Sequence, residues 1–341
     1  MPNQPLPTGH YTLNNGTKMP KFGLGTWLSQ PGEVKNAVEK AIDAGYRHFD
    51  CAFLYGNEAE IGEAIQNKIK EGVVKREDLF ITSKLWNTFH KPDNVEIGLD
   101  MTLKDLKLDY VDLYLMHFPV GFKLNTENLR EIFPTQPSVE NGTPGGLNFD
   151  DETHYSQTFQ KLIDIKNSTK KIKALGVSNF NVQQLEILKK NCTSYSPDVN
   201  QIETHPFYTC EDLVNYCQSN KILITAYSPL GNPGSPAYLR GENKSKSDVL
   251  LTHSVINKIA EKYSKTNAHI LIKFAIARGF SVIPKSVNPK RIVDNSEIFD
   301  FEIENEDIQI LKGLNRDEKT LVPSGMAGSK YWPWPEGEYV E

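Results

Sequence analysis

Four residues of complementary type close or follow apolar, β-forming runs in this chain, and together they suggest proton chemistry. Asp50 ends Arg47-His48-Phe49-Asp50, with Tyr55 just beyond it; Lys84 ends Leu79-Phe80-Ile81-Thr82-Ser83-Lys84; His117 ends Val111-Asp112-Leu113-Tyr114-Leu115-Met116-His117. A phenol, ordinarily near pKa ~10, is a stronger acid beside a lysine cation, because the cation favours the phenolate. An aspartate would keep that lysine charged and in place. A histidine N–H would donate to a substrate carbonyl as negative charge builds on its oxygen. Taken singly, each group reads equally well as a strand-end charge reaching solvent. Four complementary groups at strand ends point instead to one mouth.

For these strand ends to converge, the strands must lie side by side. Short runs rich in β-branched and aromatic residues begin near Phe22, His48, Leu79, Tyr110, Ile172, Pro197, Ile222 and Phe280. Helical stripes lie between them: Val34, Ala37, Val38, Ala41 and Ile42; Ile61, Ala64, Ile65 and Ile69; Val255, Ile256, Ile259, Ala260 and Tyr263. Such alternation is the pattern of βα units over a parallel sheet, and eight strands favour a closed (β/α)8 barrel, an α/β fold. A doubly wound sheet is the competing architecture, which periodicity does not separate from a barrel. Ahead of the first strand, Tyr11-Thr12-Leu13 and Lys18-Met19 flank Asn15-Gly16, a dipeptide suited to a tight turn, so a hairpin over about 11–20 is expected to plug the bottom of the barrel. Two intervals are long. One holds Pro119 to Asp151 and the other holds Gly231-Asn232-Pro233-Gly234 and the polar 241–247 stretch; both follow strands, which in a barrel puts them on the active-site face.

Composition narrows the class. The 38 Lys+Arg against 43 Asp+Glu give a net charge of -5 over 341 residues, which leaves no basic excess to hold nucleic acid or an anionic membrane. No run approaches the roughly 20 apolar residues of a membrane span. The opening Met1 to His10 carries neither a basic and apolar leader nor an Arg-rich transit pattern, and the expected location is cytoplasmic. Cys51, Cys192, Cys210 and Cys217 are too sparse for a disulfide framework. Gly23-Leu24-Gly25 runs into Thr26-Trp27-Leu28 without completing G-x-G-x-x-G, there is no phosphate-binding G-x-x-x-x-G-K-[ST], and no His/Cys cluster suggests a metal site. The whole chain, 1–341, reads as one domain.

The motifs around the four residues resemble the aldo-keto reductases. Gly45-Tyr46-Arg47-His48-Phe49-Asp50-Cys51-Ala52, Tyr55-Gly56-Asn57-Glu58, Ser83-Lys84-Leu85-Trp86, Leu113 to Pro119, Gly176-Val177-Ser178-Asn179-Phe180, Asn200-Gln201-Ile202-Glu203 with His205-Pro206, and Ile283-Pro284-Lys285-Ser286 stand in the family's order. The resemblance runs from about Tyr11 to the terminal Trp-Pro-Trp. It implies an eight-stranded barrel that binds NADPH without a dinucleotide-fold unit, with NADH as a weaker alternative, and reduces aldehydes or ketones. It also implies a monomer or weak homodimer acting on a small carbonyl substrate.

Carried over by position, the resemblance makes Tyr55 the general acid, Lys84 and Asp50 its tuning pair, and His117 the carbonyl-orienting group. Ser178, Asn179 and Gln201 fall at nicotinamide positions, with Tyr227 as the stacking ring, and Thr26 and Trp27 are further cofactor positions. Ser178 with Asn179 alone would read as a helix N-cap. Ser228 and Leu230 match the pyrophosphate loop, where Asn232 replaces the usual serine and the acidic latch is not evident. Lys285, Ser286, Asn288 and Arg291 match the 2′-phosphate pocket and Asn295 the adenine contact, while Asp294 stands where glutamate is commoner. Trp27, Leu54, Trp86, His117 and Phe118 are expected to line the substrate pocket. Phe118 and the Tyr331 to Pro335 tail are similar to the xylose reductase branch; Gln30 to Val34 resembles aldose reductases. A phenyl at 118 in place of the commoner indole is expected to leave room beside His117, with Asn125, Asn128, Asn141 and Asn148 as candidates to meet sugar hydroxyls. The 119–151 loop and the 322–341 tail are expected to roof the pocket. A different reading keeps the barrel but makes it an NADPH-binding regulatory or scaffolding subunit.

Overall fold

A computed structural model describes residues 4–136, 146–234 and 249–334. A two-stranded hairpin, β1 (His10–Thr12) and β2 (Lys18–Pro20), precedes eight parallel strands: β3 (Leu24–Gly25), β4 (His48–Asp50), β5 (Phe80–Leu85), β6 (Val111–Met116), β7 (Ile172–Ser178), β8 (Val199–Glu203), β9 (Leu223–Tyr227) and β10 (Ser281–Val282). Each begins within two residues of the expected position. The strands pair in sequence order from β3 to β10, with no reversal such as a doubly wound sheet requires.

The ring then closes on itself. Phe22 bridges Val282 and Gly25 bridges Lys285, and Gly23 N–H donates to the Val282 carbonyl at 2.9 Å and Gly25 N–H to the Pro284 carbonyl at 3.1 Å. Gly25 is required at this seam, because a Cβ there would stand 2.8 Å from the Ile283 carbonyl oxygen. The fold is a (β/α)8 barrel.

Helices α1 (Glu33–Asp43), α2 (Glu58–Lys70), α3 (Pro92–Leu106), α4 (Tyr155–Ser168), α5 (Val182–Asn191) and α6 (Glu211–Ser219) each follow one strand; α7 (Ser254–Lys262) and α8 (Asn267–Ala277) both follow β9, and α9 (Pro289–Asp294) and α10 (Asn305–Lys312) follow β10. The apolar stripe read from the sequence is the buried face of α1: Val34, Ala37, Val38, Ala41 and Ile42. In α2 and α7 the stripes are buried except at Ile69, Val255 and Tyr263, which pack partly exposed at the edges.

The hairpin caps the N-terminal end of the barrel. Leu13 and Met19 pack with Phe80, Leu113, Leu115, Ala174 and Val199 in one buried cluster. The Asn14 and Asn15 side chains donate to the Lys221 and Lys173 carbonyls at 3.1 and 2.7 Å, pinning the turn to the strand starts. Of the expected Asn15-Gly16 pair only Gly16 takes a positive φ, 85°, so the turn is wider than a two-residue one, with Leu13 and Thr17 paired across it. With the bottom plugged and the interior packed, the opposite end is where a ligand can enter.

Candidate active site

The mouth of the barrel assembles the four residues. β4 stops at Asp50, and the chain turns through Phe53–Tyr55 in a single 3₁₀ turn closed by Gly56 at φ 66°, a left-handed conformation that favours glycine. Phe53 anchors the turn, buried with its ring edge on Phe89 at 5.3 Å, and so fixes Tyr55 above the mouth. On β5, successive side chains face opposite ways, so Ser83 points outward to α2 while Lys84 points into the barrel. The Lys84 ammonium donates to Asp50 Oδ2 at 2.7 Å, the Cys51 carbonyl at 2.9 Å and the Tyr55 hydroxyl at 3.2 Å. His117, directly after β6, sets its ring edge-on to Tyr55 at 5.8 Å.

Charges in this cluster are set by burial. Lys84 is 0% exposed and Asp50 2%. Burial alone would push the ammonium down, but Asp50 and then Tyr55 outweigh it, and Lys84 ends above its ordinary value. The phenol behaves differently from the sequence-based expectation. Lys84 does draw it down, yet burial is the larger effect and carries Tyr55 up to about 12. Tyr55 is therefore fully protonated at neutral pH, a loaded donor rather than an acidic one. Burial, then Lys84 and His90, hold His117 well below the usual imidazole range, so it is neutral and what it can offer a ligand is a hydrogen bond, not a charge.

A second set of residues joins the first by hydrogen bonds. Gln201 Nε2 donates to Asp50 Oδ1 at 2.8 Å, and Thr26 Oγ1 donates to the Asp50 carbonyl at 2.8 Å. Asn179 Nδ2 donates to the His117 carbonyl at 3.0 Å and to Ser178 Oγ at 3.1 Å, while the Tyr227 hydroxyl donates to Asn179 Oδ1 at 2.8 Å. Thr26, Ser178, Asn179, Gln201 and Tyr227 thus line one rim with the tetrad. The N-cap of α5 is Asn181, not Ser178 or Asn179, which frees that pair from the capping role. Ser228 and Asn232 take positive φ values of 48° and 51° on either side of Leu230; the 241–247 stretch beyond lies outside the described residues.

Farther along the rim, Lys285 donates to the Leu28 carbonyl at 2.9 Å, and its ammonium is held below its ordinary value by burial, an effect that Glu33 opposes and the Arg291 cation reinforces. Arg291 is exposed and has no ion-pair partner among the described residues. Two neighbouring cations of this kind suit an anionic group such as an adenosine 2′-phosphate. Two backbone amides beside them are engaged locally: Ser286 Oγ accepts from Asn288 N at 3.1 Å and Asn288 Oδ1 from Arg291 N at 3.0 Å. Asp294 pairs with Lys290 at 2.6 Å, and Asn295, buried, follows as the C-cap of α9. No cluster that could hold a metal ion occurs among the described residues.

An aromatic wall stands beside His117. Trp86 lies edge-on at 5.3 Å, Phe118 stacks at 5.2 Å, and Trp27 sits 6.4 Å from Tyr55, with Leu54 partly buried in the same turn. Phe118 has a neighbour in the tail. Phe118 is 4% exposed, and the ring of Trp334 from the C-terminal tail lies perpendicular to it at 6.3 Å. The indole N–H of Trp86 is occupied too, donating to the Ile132 carbonyl at 2.7 Å.

The described parts of the 119–151 loop pair with each other through Phe122–Phe149 and Thr135–Leu147 bridges; the loop meets the barrel where the Phe122 N–H donates to the Asn87 carbonyl at 2.9 Å and Phe133 reaches Trp86 at 5.6 Å. Asn125 spends its side chain on Glu131 and two backbone amides of the loop, and Asn128 on Arg130. Asn148 follows Leu147 on the return segment, its amide donating to the Pro134 carbonyl at 2.8 Å. Asn141, Pro335 and the rest of the tail lie outside the described residues.

Sequence reasoning missed the groups that hold these parts together. Buried Glu203, at the end of β8, accepts from His205 at 2.9 Å, from the Thr320 amide and hydroxyl, and from the Leu321 amide at 3.1 Å, so it ties the start of the tail to the barrel. Asn181 and Gln184 of the α5 cap donate to the Pro333 and Tyr331 carbonyls, both at 2.9 Å. Asn57 donates to the Thr26 carbonyl at 2.9 Å. Asn57 and Glu203 sit inside motifs read from the sequence; only their partners were invisible there.

Comparison with known proteins agrees with this geometry. Residues 15–316 match the model of the aldo/keto reductase family. The chain is 42% identical over 330 residues to zebrafish (Danio rerio) aldo-keto reductase family 1 member A1-A, covering 95% of each chain. It is 43% identical over 329 residues to the chicken (Gallus gallus) family 1 member A1, covering 95% of this chain and 94% of that protein. The solved structure of aldose reductase from Schistosoma japonicum superposes with a TM-score of 0.84 at 39% identity, covering 96% of this chain and 99% of that one. No described helix is long and apolar enough to cross a membrane.

Proposed function

The chain belongs to the aldo/keto reductase family and is a nicotinamide-dependent oxidoreductase that reduces carbonyl groups to alcohols; from that premise we propose that Tyr55 gives the proton, with NADPH as the preferred cofactor. The family generally uses NADP(H), and the cationic pair Lys285 and Arg291 is what favours the phosphorylated form here. When bound, the cofactor supplies hydride to the carbonyl carbon.

Everything else falls to side chains of the chain itself. His117, neutral, donates an N–H to the substrate oxygen and turns the carbonyl toward Tyr55. As the carbon accepts hydride, the oxygen gathers negative charge and becomes a far stronger base than a phenolate. The Tyr55 hydroxyl then transfers its proton to that oxygen, and the phenolate left behind is met by the Lys84 ammonium at 3.2 Å. Asp50 keeps Lys84 charged in a site that would otherwise discharge it. Ser178, Asn179 and Gln201 present both donors and acceptors for a carboxamide, with the Tyr227 ring as a stacking surface. The observation that carries this reading is the unbroken hydrogen-bonded series Asp50–Lys84–Tyr55 beside a neutral His117.

The wall beside His117 is aromatic, and the side chains of the loop residues Asn125 and Asn128 are engaged within their own loop. An unpaired sugar hydroxyl buried against such a wall costs ~1–3 kcal/mol. We therefore assign small hydrophobic or aromatic aldehydes as the favoured class, with weaker turnover of pentoses such as xylose. One domain over 1–341, acting without nucleic acid as a monomer or weak homodimer in the cytoplasm, completes the proposal. The test follows NADPH consumption and alcohol formation together, with an aromatic aldehyde and with xylose, and repeats both with NADH. One alcohol formed per NADPH consumed, faster with the aromatic aldehyde, is the expected result. NADPH binding without turnover would favour the regulatory or scaffolding alternative.

A further inference from the structure

Glu58 opens α2, three residues after Tyr55, and is 3% exposed. Ser83 Oγ donates to its Oε1 at 2.5 Å and Thr102 Oγ1 to its Oε2 at 3.2 Å. Ser83 immediately precedes Lys84 on β5, and Thr102 belongs to α3. A single carboxyl thus ties the segment bearing the phenol to the strand bearing the ammonium, from behind the barrel wall. The proton-transfer steps derived above use none of it. The charged and titratable groups that face it are Lys84 from β5, Cys51 after β4, Tyr114 from β6, and Asp105 from α3, the last paired with Arg130 of the loop at 2.9 Å.

We propose that Glu58 is a positioning residue for the reduction: through Ser83 it fixes the reach of Lys84 toward Tyr55, and its state of ionisation sets how readily the phenol gives up its proton. This rests on Tyr55 being the proton donor. Burial is the main influence on Glu58 and pushes its carboxyl up to about 8; the Ser83 and Thr102 hydrogen bonds pull back, Asp105 adds to the rise and Lys84 opposes it. Below that pH Glu58 is neutral and Lys84 acts on the phenol undiminished. Above it, a negative charge behind Lys84 offsets part of the ammonium's field and makes the phenolate less favourable. Carbonyl reduction should then slow with rising pH well before Tyr55, near 12, loses its own proton.

The experiment measures kcat against pH, at saturating NADPH and aromatic aldehyde, for wild type, Glu58→Gln and Thr102→Val, with NADPH affinity and melting temperature for each. Wild type should fall by ~3- to 10-fold between about pH 7 and 9.5, the loss a partial change in phenol acidity produces. Glu58→Gln keeps the shape and one acceptor for Ser83 but cannot ionise, so its profile should stay within about two-fold across that range, with NADPH affinity kept. Thr102→Val removes a donor that favours the carboxylate, so the fall should move to higher pH, by roughly half to one unit. A wild-type profile without the fall, a Glu58→Gln profile like that of wild type, or joint loss of NADPH binding and turnover in Glu58→Gln would each overturn the proposal. Substantial turnover in Tyr55→Phe would instead remove the proton-donor assignment on which it rests; an inactive Tyr55→Phe with an unchanged Glu58→Gln profile would sink the Glu58 role alone.

Discussion

Replacing Lys84 by Met removes an ammonium that makes three hydrogen bonds, at 2.7, 2.9 and 3.2 Å, and leaves a side chain of similar length. Two separate losses follow. First, Lys84 provides both the Coulombic attraction and the hydrogen bond that draw the Tyr55 phenol down, so without it the phenol rises still further and proton donation fails. Loss of general acid catalysis is worth ~10²- to 10⁴-fold in kcat. Second, Asp50 stays 2% exposed and loses its cation, keeping Gln201 as a hydrogen-bond partner. Breaking a buried pair from one side costs ~3–5 kcal/mol. Against a total stability of ~5–15 kcal/mol the protein should still fold, but with a lower denaturation midpoint.

The double substitution Asp50→Asn with Lys84→Met separates the two losses. It removes the stranded carboxylate, so stability should return most of the way to wild type while activity stays lost. Urea denaturation and initial rates of NADPH oxidation are the assays. If Lys84→Met keeps more than about a tenth of wild-type turnover, Lys84 does not tune the acid. If adding Asp50→Asn restores no stability, the buried pair is not what Lys84 was holding.

Other consequences can be checked independently. Arg291→Ala should weaken NADPH by one to two orders of magnitude and NADH little, because a charge-assisted contact to the 2′-phosphate is worth ~1.5–3 kcal/mol; fluorescence titration of both cofactors reads it, and equal losses would refute the assignment. Trp332, buried, and Trp334, beside Phe118, both in the tail, should part company. Trp332→Ala should cost ~3–5 kcal/mol of stability, whereas Trp334→Ala should change aldehyde KM and selectivity more than the melting temperature. Leu13→Ala, in the hairpin plug, should lower stability by ~2–5 kcal/mol and leave kcat/KM unchanged, since it opens a cavity at the end of the barrel opposite the site.

Strands and tetrad were legible in the sequence because their signals are local. A β-branched run such as Val111 to Met116 announces its strand, and a polar residue at its end announces a mouth. The Asn15-Gly16 turn was legible for the same reason, although the structure spends positive φ on Gly16 alone. What escaped depends on groups far apart in the chain. Glu203 finds Thr320 across 117 residues, and Asn87 finds Met326 across 239, so the described start of the tail is docked on the barrel as a clasp. The phenol's pKa escaped for a related reason: the charge beside Tyr55 could be inferred from Lys84, but the depth of burial that outweighs it is a property of the closed barrel. Phe118 shows the same limit, because the Trp334 ring beside it comes from the distant tail.

The proton-donor role of Tyr55 is tested most directly by single-turnover kinetics. Preformed NADPH complexes of wild type and Tyr55→Phe are mixed with an aromatic aldehyde, and loss of cofactor fluorescence is followed in parallel with the cofactor's dissociation constant. The phenylalanine ring keeps the packing against Trp27 and His117 and lacks only the hydroxyl. Reduction should slow by ~10²- to 10⁴-fold with NADPH affinity within about two-fold of wild type. A Tyr55→Phe enzyme that reduces the aldehyde at more than about a tenth of the wild-type rate would place the proton donor elsewhere.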